Sequence, residues 1–197
     1  TYLHPEGVYD DPKGGALRRA MYPRLRLHAQ FMNILKLFSD IHSMTVFSLN
    51  VYGPVRSAVR FMTVAGLYHP STLRETLERT DENQPLPLVR ENDTWNLRGH
   101  PHRLVTVDDA LLALFARTYD EAGTPAREAR LPALYTRLFA EILPRFADFA
   151  TKMASQDYGV AEMWHETGAR KDGTIRRETG RVAKPEEIIY SGPIFFV

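Results

Sequence analysis

RLRLHAQF, residues 24–31, alternates Arg24, Arg26, His28 and Gln30 with Leu25, Leu27, Ala29 and Phe31. Strand side chains point to opposite faces with a period of two, so this pattern predicts a half-buried strand with one apolar face and one wet, basic face. VFSLNVYG, residues 46–53, is also rich in strand formers and is stopped by Gly53-Pro54. The two segments are expected as neighbours in one sheet, because the connection between them is long enough for an antiparallel pair.

Working outward, Gly14-Gly15 precedes a short helix over Ala16 to Tyr22, and Pro23 stops it. Pro70-Ser71-Thr72 with Glu75 reads as a helix start of capping-box type, running to about Arg79. The segment from Asp81 to His102 is rich in turns, and PLVREND with TWNLR predicts a small hairpin around Asn92-Asp93. Asp108 or Thr106 caps a helix carrying Leu111, Leu112, Leu114, Phe115 and Tyr119, with Gly123 as its stop. Thr124-Pro125 opens a further helical stretch, which Pro132 and Pro144 divide into two or three pieces ending near Lys152. From Met163 onward strands and turns are expected: Asp172-Gly173 predicts a tight hairpin, Pro185 with Glu186 and Glu187 one helical turn, and Ile194 to Val197 a strand. The fold class is α+β, with short strands and hairpins at both ends around a helical middle.

The 197 residues carry 25 basic and 24 acidic side chains, so the net charge of +1 makes any basic surface a matter of local arrangement. The absence of cysteine excludes disulfides, thiolate nucleophiles and cysteine-based zinc sites, and fits a reducing cytoplasm. No apolar run approaches the roughly 20 residues that span a bilayer, and no signal-peptide pattern opens the chain, so no membrane partner is expected. The start at Thr1 and the apolar finish at Ile194 to Val197 lead to the expectation of a fragment of a longer protein.

Catalytic motifs are missing. Neither G-x-G-x-x-G nor G-x-x-x-x-G-K-[ST] occurs, and Gly14-Gly15 has no preceding strand. No G-x-S-x-G elbow occurs either. His165-Glu166 begins like H-E-x-x-H, but Ala169 stands where the second histidine is required. His100-Pro101-His102 lacks a carboxylate at metal-ligand spacing, and Asp40 with His42 reads as a structured loop. Neither catalytic, cofactor-binding nor metal-binding residues are assigned.

Near the C-terminus, Arg170, Lys171, Arg176, Arg177, Arg181 and Lys184 cluster within a short span, broken among charges by Asp172 and Glu178. On a hairpin such residues present guanidinium groups to successive phosphates, and Trp164 and Tyr158 add stacking surface. Read only as spacing, the same residues also describe a solvated charged hairpin. Arg24, Arg26 and His28 form a second, weaker basic face.

MWHETGARKDGTIRRETG, followed by EEIIYSGPIFFV, resembles a stretch of the large bacterial N6-adenine DNA methyltransferases of restriction-modification and phage-defence systems. FMNILKLFSDIHSMTVFSLNVYG and GTPAREARLPALYTR are similar to other stretches of that family, so the resemblance spans about Tyr22 to Val197. The family's glycine-rich S-adenosylmethionine turn and [N/D]-P-P-[Y/F/W] motif are both missing here. The resemblance therefore implies a non-catalytic portion that lies after the catalytic motifs, with S-adenosylmethionine a cofactor of the parent and none held by this fragment. Its implied partners are double-stranded DNA and the parent's remaining domains. Residues 1–57 are expected as a β-rich segment bordering the parent's catalytic domain, and residues 58–197 as an α+β DNA-interaction or target-recognition segment. Arg170, Lys171, Arg176, Arg177, Trp164 and His165 are the expected DNA-binding residues. The alternative is a structural or protein-interaction module whose helical middle, Leu131 to Phe149, packs against other domains or subunits.

Overall fold

The alternating stretch is a strand in the computed structural model, which describes residues 1–149, 157, 159, 166–176, 184 and 186. In chain order the strands are β1 Tyr2–Pro5, β2 Leu25–Met32, β3 Val46–Tyr52, β4 Arg60–Leu67, β5 Arg90–Glu91, β6 Thr94–Trp95 and β7 Val105–Asp108. The α-helices are α1 Gly7–Asp10, α2 Gly15–Met21, α3 Pro70–Glu78, α4 Asp109–Tyr119, α5 Arg137–Ala147 and α6 Glu166–Lys171. This is an α+β protein with a mixed five-stranded sheet in the order β1-β3-β2-β4-β7. β2 and β3 are the expected antiparallel neighbours, with His28 opposite Asn50 and Ala29 opposite Leu49. β4 joins β2 in parallel on the other side, and β1 and β7 close the edges antiparallel to β3 and β4.

The chain divides into two units, Thr1–Ala150 and Thr151–Val197. Residue 57, where the sequence suggests a division, lies between β3 and β4 of this one sheet.

β2 corrects one expectation. Its polar face is not wet: His28 is buried, Arg26 and Gln30 are half-buried, and only Arg24, just before the strand, is exposed. Elements pack over both faces of the sheet. One core gathers Tyr9 of α1 and Tyr22, just after α2, with Leu112 and Phe115 of α4 and Leu143 of α5, against Leu25, Phe61 and Val107. The alternate positions Ala29, Phe31 and Val64 form a second core with Leu67 and with Leu73 of α3. Each fully buried large apolar side chain contributes on the order of 1.5–3 kcal/mol, which is why covering both faces outweighs solvating the polar one.

β4 switches core side within its own length. Leu27 pairs with Met62 and Ala29 with Val64, but Phe31 pairs with Leu67, so an extra residue bulges between. Gly66 supplies the required positive φ of 66°. The bulge brings Leu67 onto the same core as Val64.

Turn chemistry elsewhere was legible. Asn92 and Asp93 take φ of 47° and 60°, the mirror-image turn that suits a two-residue hairpin, between β5 and β6. Asp108 caps α4 by accepting a hydrogen bond from the Leu111 amide at 2.8 Å. At α3 the cap is His69, whose ring accepts from the Ser71 amide at 3.2 Å, rather than the expected Ser/Thr–Glu box. After Thr124-Pro125 only a single 3-10 turn forms, Ala126–Glu128, before an irregular but well-packed run leads to α5. α5 then continues through Pro144 instead of breaking there, with Thr136 as its cap.

Candidate nucleic-acid interface

The Asp172-Gly173 stretch is not a hairpin. Arg170 and Lys171 form the last turn of α6, and Asp172-Gly173 ends that helix, with Gly173 at φ 83°. The Asp172 amide donates to the Gly168 carbonyl and the Ile175 amide to the Ala169 carbonyl, each at 3.0 Å, while the Asp172 carboxylate accepts from the Thr174 amide at 2.9 Å. An Asp-Gly pair that accepts positive φ serves a helix C-terminus as readily as a hairpin, and two cations suit the negative end of the helix. Arg170, Lys171 and Arg176 are exposed, and Arg170 and Lys171 line a cavity of about 330 Å3 with Thr167. Trp164, His165 and Arg177 lie outside the described residues, as do Tyr158, Arg181 and the expected terminal strand.

The weaker basic face of the sequence reading is rearranged into a denser one. The Gly53 amide donates to the Arg24 carbonyl at 2.8 Å and the Arg56 amide to the Pro23 carbonyl at 3.0 Å, tying residues 53–56 to residues 23–26 at one end of the sheet. Arg26 lies across Gly53, where an added Cβ would come within 2.9 Å of its Nε and push the guanidinium aside. Its Nη2 donates to the Pro54 carbonyl, and its Nη1 donates to the Leu25 carbonyl at 3.0 Å. Arg56 Nη1 donates to the Arg60 carbonyl at 3.4 Å. Arg24, Arg56 and Arg60 are exposed and Arg26 is half-buried. Among the described residues none of the four has a carboxylate partner, although eight other arginines do. Packing first, and then the charge of Arg56, hold the Arg26 pKa below its usual value. The acid across the ladder from Arg60 is Asp108, whose carboxylate is engaged in capping α4.

A paired arginine holds this rim in place. Arg127 grips both oxygens of Asp109 at 2.7 and 3.2 Å and also donates to the Ser57 carbonyl at 2.8 Å. Asp109 Oδ2 in turn accepts from the Val59 amide at 2.9 Å. The loop between Arg56 and Arg60 is thus tied to the start of α4.

His28 leaves the basic face entirely. Its Nε2 is 3.0 Å from Glu6 Oε1 and its Nδ1 is 2.8 Å from Thr63 Oγ1, while Gln30 Nε2 donates to the same Glu6 oxygen at 3.1 Å. Tyr9, packed edge-on to His28 with ring centroids 4.5 Å apart, donates to Asn50 Oδ1 at 2.6 Å. Burial raises the Tyr9 pKa, so its hydroxyl stays protonated. The acid–imidazole–hydroxyl order resembles a nucleophilic relay, but Glu6, His28 and Thr63 are buried and are spent on hydrogen bonds to one another and to Gln30. The network instead pairs the polar side of β2 beneath α1, with Glu6 Oε2 left buried and without a partner among the described residues. No sequence motif announced it, because Glu6 and Thr63 meet His28 only through the sheet order.

The two histidines of His100-Pro101-His102 are occupied locally: His100 Nδ1 accepts from the His102 amide at 3.1 Å, its Nε2 is 2.9 Å from the Gln84 carbonyl, and His102 lies 3.4 Å from Glu82. Among the described residues no helix is long and apolar enough to cross a membrane. No protein-family model, curated protein or solved structure matches this chain.

Proposed function

We propose that the chain binds double-stranded DNA through its phosphate backbone and, following the resemblance of its sequence, serves as a non-catalytic DNA-binding or target-recognition portion of an S-adenosylmethionine-dependent N6-adenine DNA methyltransferase. The observation that carries the DNA reading is the arginine rim: Arg24, Arg26, Arg56 and Arg60 gather at one end of the sheet and none of them pairs with a carboxylate among the described residues. Like charges held together on a fixed loop gain from a polyanion that releases its counterions on binding. The exposed cations Arg170, Lys171 and Arg176 offer a second basic group on the other unit. Such contacts set affinity and register and carry little base information. Fluorescence anisotropy of a short labelled duplex titrated with the full chain tests the reading. Binding that weakens steeply with salt is expected; no binding at low salt by a folded chain rejects it.

A second reading, a protein-interaction module, has its own observation. Phe139, Ile142 and Phe146 of α5 are 50%, 43% and 67% exposed and line a cavity of about 460 Å3 with Leu134 and Leu143. An apolar helix face of this kind marks an interaction surface. Sedimentation of the same samples distinguishes the readings, since self-association without DNA binding favours the second.

A further inference from the structure

A cavity of about 680 Å3 opens where α2, the C-terminal end of α4 and residues 124–130 meet. Small-molecule sites typically occupy roughly 300–1,000 Å3. In its wall stands Arg18, only 1% exposed. Its Nε donates to the Glu128 carbonyl at 3.0 Å, and its Nη1 donates to the carbonyls of Val8 at 3.1 Å and Asp11 at 2.7 Å. All three acceptors are main-chain oxygens, which satisfy N–H groups without neutralising the charge. Among the described residues no carboxylate lies within 4.0 Å of the guanidinium. A buried ion without a counter-charge is costly unless something compensates it.

Arg18 lines the cavity, and with Nε and Nη1 engaged its Nη2 group is the donor that makes no hydrogen bond to a described residue. Gly14 makes the enclosure possible, because a Cβ there would sit 2.7 Å from Arg18 Nη1. The other charges around the cavity largely cancel. Arg130 is neutralised by Asp120 at 2.7 Å and Glu128 by Arg19 at 2.9 Å. What remains is Arg18 within, with Lys13 and Glu121 both exposed at the surface.

We propose that this cavity binds a small oxyanion-bearing molecule, its carboxylate or phosphate oxygens accepting from Arg18 Nη2 with Lys13 adding attraction at the mouth. With Nε and Nη1 engaged, the charged Nη2 still carries two N–H donors for such oxygens. Glu121 repels an extended polyanion, so a compact anion fits here and a nucleic-acid backbone does not. The site is separate from the arginine rim and does not rest on the DNA reading.

The test uses the full chain labelled with 15N-arginine, titrated with inorganic phosphate and, in a second arm, with succinate, each against sodium chloride at matched ionic strength. A saturable shift of the Arg18 side-chain signals with either oxyanion is expected, and the arm that responds identifies the anion. Arg18 itself anchors three carbonyls, so the variant is the exposed Lys13→Ala, which weakens binding about fivefold, whereas Arg74→Ala, an exposed arginine of α3, leaves it unchanged. A shift matched by chloride, no saturable response at Arg18, or equal losses in Lys13→Ala and Arg74→Ala overturns the proposal.

Discussion

Arginine has opposite fates in two regions of this molecule. Between the sheet and the chain packed on it, Arg103 is 1% exposed, donates from Nη2 to the Ala65 and Gly66 carbonyls at 3.0 Å each, and lies 4.5 Å from the ring centre of Tyr135. At the open end of the sheet, Arg24, Arg56 and Arg60 reach into solvent and meet no carboxylate among the described residues. The first kind of arginine repairs a backbone irregularity. Beside the β4 bulge the Ala65 and Gly66 carbonyls both accept from the single Nη2 group of Arg103, which reaches them through a long side chain. The second kind makes only one long hydrogen bond in the fold, from Arg56 to the Arg60 carbonyl at 3.4 Å, and pairs with no carboxylate among the described residues, which leaves its charge available to a ligand. Exposure and the identity of the acceptor, not residue type, separate structure from function here.

The largest expected effect breaks the interior side of that contrast. Arg103→Leu leaves the Ala65 and Gly66 carbonyls without their donor and removes the stacking on Tyr135; a loss of about 3 kcal/mol is expected in urea unfolding. A loss within error would mean that the bulge does not need its arginine.

That contrast also marks how far the sequence could be read. The alternation in residues 24–31 announced β2, and Asn92-Asp93 announced the β5–β6 turn, because both rest on local geometry. Burial of the polar face was not legible, since it depends on α1 folding over His28 and bringing Glu6 and Tyr9 with it. The Asp172-Gly173 turn misled for a related reason: a residue pair that permits positive φ does not say whether a strand or a helix precedes it. The basic rim was half visible. The face of Arg24, Arg26 and His28 expected from the sequence loses His28 to the core, and Arg56 and Arg60 join the two arginines only through the pairing of residues 23–26 with 53–56.

Gly66→Ala sharpens the same point with a smaller effect. Tyr135 Cδ2 would lie 3.6 Å from the added Cβ, so space is sufficient and the strain comes from the φ of 66° alone. A loss of about 1 kcal/mol is expected, and a neutral result in thermal unfolding would remove the backbone argument for the bulge.

The Asp109–Arg127 pair, which anchors the rim from behind, predicts a pH dependence. Hydrogen bonds from Arg127 hold the Asp109 pKa below the ordinary carboxylate value. A depressed folded-state pKa contributes stability above the unfolded value, near pH 4, and loses it as pH falls through the folded value. The side chains are 36% and 41% exposed, so solvent screening keeps the effect small. Wild type should therefore lose slightly more stability than Asp109→Asn on acidification through that window. Parallel curves in urea titrations at successive pH values would remove this pair from the account.

The smallest effect on stability belongs to the rim. Arg24→Ala with Arg56→Ala should change unfolding by less than about 0.5 kcal/mol, as surface substitutions without partners do. A large loss would return these arginines to the structural group.

The same double variant supplies the decisive measurement, the slope of log affinity for duplex DNA against log salt, compared with wild type in the full chain. Loss of two phosphate contacts predicts a slope shallower by about two, with binding weakened at every duplex sequence tried. An unchanged slope in a variant that remains folded would contradict the claim that the open end of the sheet grips the DNA backbone.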